Sequence, residues 1–559
     1  MPPEFKLLQY KPRPWTPTDS LIIVKNFFEA LSSTWRLDLL SESLTDLPAE
    51  KKAWLLPETS PLDVLVVGKD TKKKSALTTP FKDSRTEVEK AELLQALAQD
   101  AETEERSLTR MGLFSENLAA SNNWVVSGKH TASGKPLLAN DPHLAASAPS
   151  IWYMVNLSAP GVRVAGVTAA GLPGVIIGHN EHIAWGFTNV GPDVQDLYDE
   201  KFDSNDPRRY QTPTGWQQVE IRHEEIKVRK GSTDSATDTV ALDVTVTRHG
   251  PIILEKSGKR YALRWTALDP KLNNSDGVYS LDHARNWNEF TKALNGYTPP
   301  MQNMVYADVD GHIGYYAAGV VPIRKSGDGS LPYDGSTDAG EWISYIPFDK
   351  LPHLYDPPSG IVVTANQRIV GSDYPYFLTH SWAPPYRARR IFDLLNQKQK
   401  LTADDFRAIQ GDVYAIAGVT FARSAAKILK PQLSSPADDK LKETIAAFEA
   451  WDGQISVDSR VAPVLAEMRI AFRTRTLNAA IGEASAKSFG WANFDTTLDR
   501  LITDQPADWL PKEFKSYGDL LKACYGDARQ ALTKRFGADE TNWTRGNRVK
   551  SSFPHPLAN

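Results

Sequence analysis

Ser121 stands at the head of an apolar run, Asn122-Asn123-Trp124-Val125-Val126, and small residues, Ala119-Ala120, lead into it. A turn through Ser133-Gly134-Lys135 follows, and a second apolar run, Leu137-Leu138-Ala139, stops at Asn140-Asp141-Pro142-His143. This pattern reads as a β-hairpin with a hydroxyl at the start of one strand and an imidazole just past the end of the other. Brought to one rim of a sheet, the two could act as nucleophile and proton acceptor, because a Ser hydroxyl attacks a carbonyl only when a base takes its proton. The same residues also fit a turn Ser and a hydrogen-bonded loop His, and spacing alone does not choose between the readings.

The wider sequence adds a resemblance. The Ser121-Asn122 start resembles the N-terminal-nucleophile hydrolases of the penicillin acylase family, whose catalytic subunit begins with Ser-Asn and an apolar strand. Gly171-Leu172-Pro173-Gly174, Ile177-Gly178-His179-Asn180, Ala184-Trp185-Gly186-Phe187-Thr188-Asn189 and Asp193-Val194-Gln195-Asp196-Leu197-Tyr198 are similar to that family's signature in order and spacing. So are Asp308 to Tyr315, Thr364-Ala365-Asn366-Gln367, Tyr386 to Ile391 and Trp451-Asp452-Gly453, so that the resemblance covers most of the chain.

The resemblance implies a cut between Ala120 and Ser121. The freed α-amino group, with an ordinary pKa of about 7.7 to 8.0, would then sit in the same residue as the nucleophile and serve as its base. It further implies that the oxyanion is met by the backbone N–H of Asn189 and the side-chain amide of Asn366, with Arg387 near the nucleophile and His143 orienting amine and water. Asp193, the Gln195 carbonyl and Asp196 match positions that hold Ca²⁺ in the family, and Asp38 matches the acidic ligand from the small subunit; hard oxygen donors suit that ion. Leu378 stands where the family has a further Asp. The implied fold is α+β, an αββα four-layer sandwich with additional helical segments. The implied organisation is residues 1–66 as part of a small subunit, 67–120 as an excised spacer and 121–559 as the large subunit, a heterodimer cut from one precursor. By the same resemblance the protein acts in the periplasm or outside the cell on an N-acyl amide, and the chain reads as an internal fragment of its precursor.

Composition sets outer bounds. With 559 residues, 41% hydrophobic and 24% charged, the chain is ordinary globular material, and its net charge of −4 offers no basic stripe for a phosphate backbone. One cysteine, Cys524, excludes an intramolecular disulfide. The apolar stretches from His143 to Val162 and from Val164 to Ile177 are broken by Ser, Asn, Pro and Gly, so they read as buried strands rather than membrane spans. Met1 to Lys6 has neither the basic nor the apolar region of a signal peptide. Neither nucleic acid nor membrane is an expected partner.

The elements that must position the candidate residues follow in order. Residues 17–60 carry apolar positions at helical spacing, and 67–117, rich in Lys and Glu, read as a partly helical, solvated segment. From 121 to about 380 short Val-, Ile- and Tyr-rich runs alternate with turns, and Thr239 to Val246 alternates as a half-exposed strand should. From 386 to 559 the pattern is mainly helical, with Thr402-Ala403-Asp404-Asp405 as a start signal and further helices near 437–451 and 461–481. A conventional Ser-His-Asp hydrolase lacks its GxSxG elbow here. A catalytically silent, binding relative is the remaining alternative. Penicillin, cephalosporin and N-acyl-homoserine lactone acylases share this machinery, and His143 leans toward the latter two branches, since the aryl-acetyl branch commonly carries Gln there.

Overall fold

Alternation along the run after Ser121 builds the centre of the molecule. In the computed structural model, which describes residues 2–71, 86–110, 120–144, 146–231, 236–272, 276–298, 300–433, 439–555 and 557, that run is strand β1 (Asn122–Val126). It pairs antiparallel with β2 (Leu137–Asp141) across the expected turn, and on its other side with β20 (Ile361–Thr364). Opposite lies a seven-stranded sheet made by β3 (Trp152–Ala159), β4 (Val162–Ala169), β5 (Ile177–Asn180), β6 (Ile183–Asn189), β14 (Gln302–Asp308), β15 (Ile313–Ala318) and β19 (His353–Tyr355). Its order is β19-β15-β14-β6-β5-β4-β3.

Because strand side chains alternate faces, Asn123 and Val125 point into the space between the sheets, whereas Trp124 and Val126 pack with Val363 under Ala388, Ile391 and Phe406. Those last three belong to α8 (Tyr386–Asn396) and α9 (Ala403–Gln410), the outer layer on that side. On the far side, α6 (Asp276–His283) and α7 (Trp287–Asn295) cover the large sheet, Trp287 and Phe290 meeting Tyr306 at ring-centroid distances of 5.3 and 5.0 Å. The four layers are thus helices, seven strands, three strands and helices, the αββα sandwich that the sequence resemblance implies.

The remaining β structure is peripheral. A four-stranded sheet joins β7 (Gln195–Asp199) to β12 (Ile252–Lys256), β13 (Lys259–Trp265) and β17 (Tyr333–Asp334). Short pairs are formed by β8 (Arg209–Thr212) with β9 (Gly215–Gln218), and by β16 (Pro322–Arg324) with β18 (Trp342–Tyr345). β10 (Glu220–Arg229) and β11 (Thr237–Val246) form a two-stranded ribbon. Contrary to the half-exposed reading, β11 is exposed on both faces for most of its length, since it pairs only with β10 and lies on no sheet. β3 also departs from its expected burial, being the edge of the large sheet and exposed over most of its length.

After the short α1 (Pro3–Leu7), the helical stretch at 17–60 forms α2 (Pro17–Ser32), α3 (Trp35–Ser43) and α4 (Ala49–Leu55). Next is α5 (Glu87–Arg110), within the segment read as solvated, where 72–85 and 111–119 lie outside the described residues. Its charge density hid an apolar stripe: Leu93, Leu94 and Leu97 are buried against Trp35 and Leu39 of α3. The same core takes in α10 (Ile416–Leu429), α11 (Asp439–Ala450), α12 (Val461–Ile481), α13 (Glu483–Lys487), α14 (Phe494–Asp504) and α15 (Tyr517–Phe536), and α16 (Arg545–Arg548) follows. α9 begins with the expected capping box, Thr402 accepting from the Asp405 N–H at 3.2 Å.

Parts of the chain far apart in sequence are tied by charge. The His380 ring lies between Glu58 Oε1 at 2.7 Å and Asp328 Oδ2 at 2.9 Å, and these two carboxylates outweigh burial, raising its pKa from 6.5 to about 10. A histidine whose folded pKa exceeds its unfolded value contributes stability fully below the unfolded value and loses it as pH rises through the folded one. The thermal midpoint should therefore fall between about pH 6.5 and 10, and His380→Gln should flatten that slope; an unchanged slope in the variant would refute the assignment.

Candidate active site

Ser121 continues the β1 alternation that faces the large sheet, and it is buried at the wall of a cavity of about 770 Å³. The β1–β2 hairpin is locked in place by Asn140, whose Nδ2 donates to the carbonyls of Asn122 (2.9 Å) and Phe187 (3.0 Å) while its Oδ1 accepts the Phe187 N–H at 2.8 Å. Gly186 permits this approach. A Cβ there would come within 2.9 Å of Asn140 Oδ1.

Arg387, in the first turn of α8, organises the site. Its Nη1 donates to the Ala120 carbonyl (2.7 Å), the Ser121 carbonyl (2.9 Å) and Asn122 Oδ1 (2.7 Å), and its Nη2 donates to Asn366 Oδ1 (3.0 Å). Burial lowers the guanidinium to about 10, which still leaves it a cation at neutral pH. A planar fork of donors can hold several oxygens at fixed angles, which an ammonium cannot. By receiving Arg387, the Asn366 oxygen is committed, so the Asn366 amide NH₂ turns to the Asn189 carbonyl at 2.8 Å. Asn366 sits at φ 65°, the left-handed region that Asn tolerates better than most residues. The Asn189 side chain in turn donates to the Leu31 carbonyl of α2 at 2.8 Å and accepts from Gln302 at 3.2 Å. Ser121, Asn189, Asn366 and Arg387 are therefore one hydrogen-bonded group.

The exposed His143 ring donates through Nδ1 to the Ala120 carbonyl at 2.5 Å. Two cationic or polar donors thus converge on the carbonyl that precedes Ser121. No carboxylate partners His143 among the described residues, so a Ser-His-Asp arrangement has no acid here.

The cavity beside Ser121 is apolar. Leu21, Val24, Phe28 and Leu31 of α2 form one wall, with Ile176 and Phe187 opposite, while Asn189 and Gln302 bring polar groups to the Ser121 end. An acyl chain could enter with its carbonyl at the polar end.

The three expected acidic metal ligands are all buried. α3 carries Asp38 into a buried group with Asp193 and Asp196, where Arg324 holds Asp196 through Nε at 2.8 Å and Nη2 at 2.9 Å and lies 3.5 Å from Asp193. Burial pushes Asp193 up to about 7; burial and then the charges of Asp193 and Asp196 push Asp38 well above the carboxylate range. Asp38 Oδ2 has no hydrogen-bond partner although buried. The Gln195 side chain accepts the Thr34 and Trp35 N–H groups at 2.8 and 3.2 Å, capping α3, and Leu378, in place of an acid, accepts the Asp193 N–H through its carbonyl at 2.7 Å. Among the described residues no three His, Cys, Asp or Glu side chains are disposed as a metal-ligand group.

Sequence reasoning passed over Asn123, Asn303, Thr188, Thr364 and Arg324. Asn303 precedes the apolar run Met304 to Ala307 on an inward strand position, a polar residue where packing favours an apolar one, and that was a usable signal. Arg324 carries no comparable local signal, since its partners lie about 130 residues earlier in the chain.

The family model described as Penicillin amidase matches residues 1–559. The chain is 30% identical to the Penicillin acylase 2 proenzyme of Pseudomonas sp. (strain SE83) over 100% of the chain and 69% of that protein. It is 30% identical to the acyl-homoserine lactone acylase QuiP of Pseudomonas aeruginosa over 81% of the chain and 53% of that relative, so it spans only about half the length of some relatives. The structure of a thermostable penicillin G acylase from Alcaligenes faecalis superposes with a TM-score of 0.64 at 22% identity, covering 76% of this chain and 80% of the other, which shows the shared fold. Matched by the family model along its whole length, the chain belongs to the penicillin amidase family.

Proposed function

We propose that this protein is an autoprocessed amidase that cleaves the linear amide of an N-acyl compound through an acyl-enzyme on Ser121. One observation carries the reading: the Arg387 guanidinium gathers the Ala120 and Ser121 carbonyls and the Asn366 amide around Ser121, beside an apolar cavity. In maturation, Ser121 Oγ attacks the Ala120 carbonyl. Arg387 Nη1 and His143 Nδ1, already donating to that oxygen, offset the charge that develops on it. The amide nitrogen leaves as the Ser121 amine, an ester to Oγ forms, and water hydrolyses it to release the Ala120 carboxylate.

Turnover repeats the attack on a substrate amide. The Ser121 amine accepts the hydroxyl proton, through a water, and returns it to the leaving amine. The Asn189 N–H and the Asn366 amide meet the new oxyanion, each such donor typically being worth on the order of 3 to 4 kcal/mol. Water then releases the acid. The relatives' names point to β-lactam side chains and N-acyl-homoserine lactones as substrate classes, and the apolar wall of α2 favours an apolar acyl group in either case. The mature form would be a heterodimer of the two chains from one precursor. Export to the periplasm or beyond belongs to the same reading; among the described residues no helix is long and apolar enough to cross a membrane.

A structural Ca²⁺ also belongs to this proposal. Asp38, Asp193 and Asp196 are buried near the Arg324 guanidinium, and the unsatisfied Asp38 Oδ2 supports the reading; to bind a hard divalent cation, Asp196 would exchange its bonds to Arg324 and Trp342 for the ion. With the Gln195 carbonyl these residues would hold the ion between α3 and β7 and supply no catalytic group.

Two measurements test this. Activated p-nitrophenyl esters and p-nitroanilides of phenylacetic and decanoic acids should acylate Ser121 in the natural protein that carries this chain, as read by peptide mass mapping. Ser121→Ala should lose about 10³-fold or more in turnover; an adduct elsewhere, or activity retained in the variant, would sink the reading. Removing Ca²⁺ with a chelator should lower the thermal midpoint by several degrees and re-addition restore it, with no response in Asp38→Asn; a midpoint insensitive to Ca²⁺ in the wild type rejects the metal site.

A further inference from the structure

The backbone at Asn189 is gripped from behind by groups that line neither the cavity nor the nucleophile. Asn303, fully buried between the sheets on β14, donates through Nδ2 to the Asn189 carbonyl and to Thr188 Oγ1, both at 3.2 Å. It therefore brackets the Thr188–Asn189 peptide, the unit that contains the Asn189 N–H. The same Asn189 carbonyl is the acceptor toward which the Asn366 amide is turned.

What keeps the Asn303 amide the right way round is Tyr315. Its hydroxyl donates to Asn303 Oδ1 at 2.6 Å, and burial pushes that phenol far above its ordinary pKa, so it stays a donor. The order then continues in one direction. Thr364 donates to Asn123 Oδ1, which leaves Thr188 to donate to Thr364 Oγ1 at 2.7 Å, and Asn123 Nδ2 returns to the Asn303 carbonyl at 3.1 Å. Asn123, Thr188, Asn303 and Thr364 each both donate and accept, Tyr315 donates, all are buried, and reversing one amide would set acceptor against acceptor.

We propose that Asn303 and Tyr315 are positioning residues for acyl transfer at Ser121, fixing the peptide whose N–H meets the developing oxyanion and the carbonyl against which Asn366 is oriented. This rests on the acyl-transfer reading above. The two residues touch no reacting atom and act only through Asn189 and Asn366. They serve maturation less directly, since the Ala120 carbonyl is held by Arg387 and His143.

The test compares Tyr315→Phe, which removes one hydroxyl at unchanged ring volume, and Asn303→Asp, which exchanges a donor edge for an acceptor edge at unchanged shape. In the natural protein, single-turnover acylation by p-nitrophenyl phenylacetate and p-nitrophenyl decanoate is followed with steady-state kcat and KM and the thermal midpoint. The expected result is a fall in acylation rate and kcat of about tenfold for Tyr315→Phe and about a hundredfold for Asn303→Asp, with KM within about threefold of wild type. A folded Tyr315→Phe protein with wild-type kcat, or a loss residing in KM alone, overturns the proposal, and that variant decides the matter if Asn303→Asp does not fold. Wild type that is never acylated at Ser121 defeats the acyl-transfer reading and this proposal together. Acylation of Ser121 at equal rates in wild type and Tyr315→Phe defeats the proposal alone.

Discussion

The site depends on one buried cation. Arg387 reaches the carbonyls on both sides of the Ala120–Ser121 peptide nitrogen, the side chain of Asn122 and the oxygen of Asn366. Taking a guanidinium out of water is unfavourable, and burial lowers its pKa accordingly; four charge-assisted hydrogen bonds to carbonyl and amide oxygens offset that loss. The consequence is geometric. With its oxygen committed to Arg387, Asn366 can only present its NH₂ forward, so the amide's orientation follows from the cation behind it.

Around this centre the two sheets are held in register by polar contacts rather than by apolar packing alone. Asn123, Thr188, Asn303, Tyr315 and Thr364 form a closed hydrogen-bonded set in the inter-sheet space. A buried amide left without partners costs about 1 to 3 kcal/mol, so such a set is stable only when every member is satisfied, and then it specifies one arrangement. α2 joins the same network through the Leu31 carbonyl and forms a cavity wall, so a helix far earlier in the chain shapes the pocket beside Ser121.

Much of this was legible in the sequence, and the limits were physical. The β1–β2 hairpin, the strands flanking Asn189 and the α9 capping box are local patterns, and they stand within a few residues of where periodicity and turn chemistry placed them. Asn189, Asn366 and Arg387 were named by resemblance, and the structure brings them together with Ser121. α6 and α7 were passed over because they interrupt a β-rich stretch, although Asn286 and Glu289 make a local cap at the start of α7. The exposure of β11 and the buried stripe of α5 depend on which neighbours exist, and no pattern within either segment carries that information. The direction of the His143 ring likewise follows from tertiary contact with Ala120.

The central claim is that Ser121 becomes an amino terminus by its own chemistry. Intact-mass analysis of the natural protein and of Ser121→Ala, with N-terminal sequencing of the larger fragment, tests it most directly. The account predicts a large chain that begins at Ser121 in the wild type and an uncut chain in the folded variant. A folded wild type that stays in one piece, or a variant cut at the same bond, would contradict it.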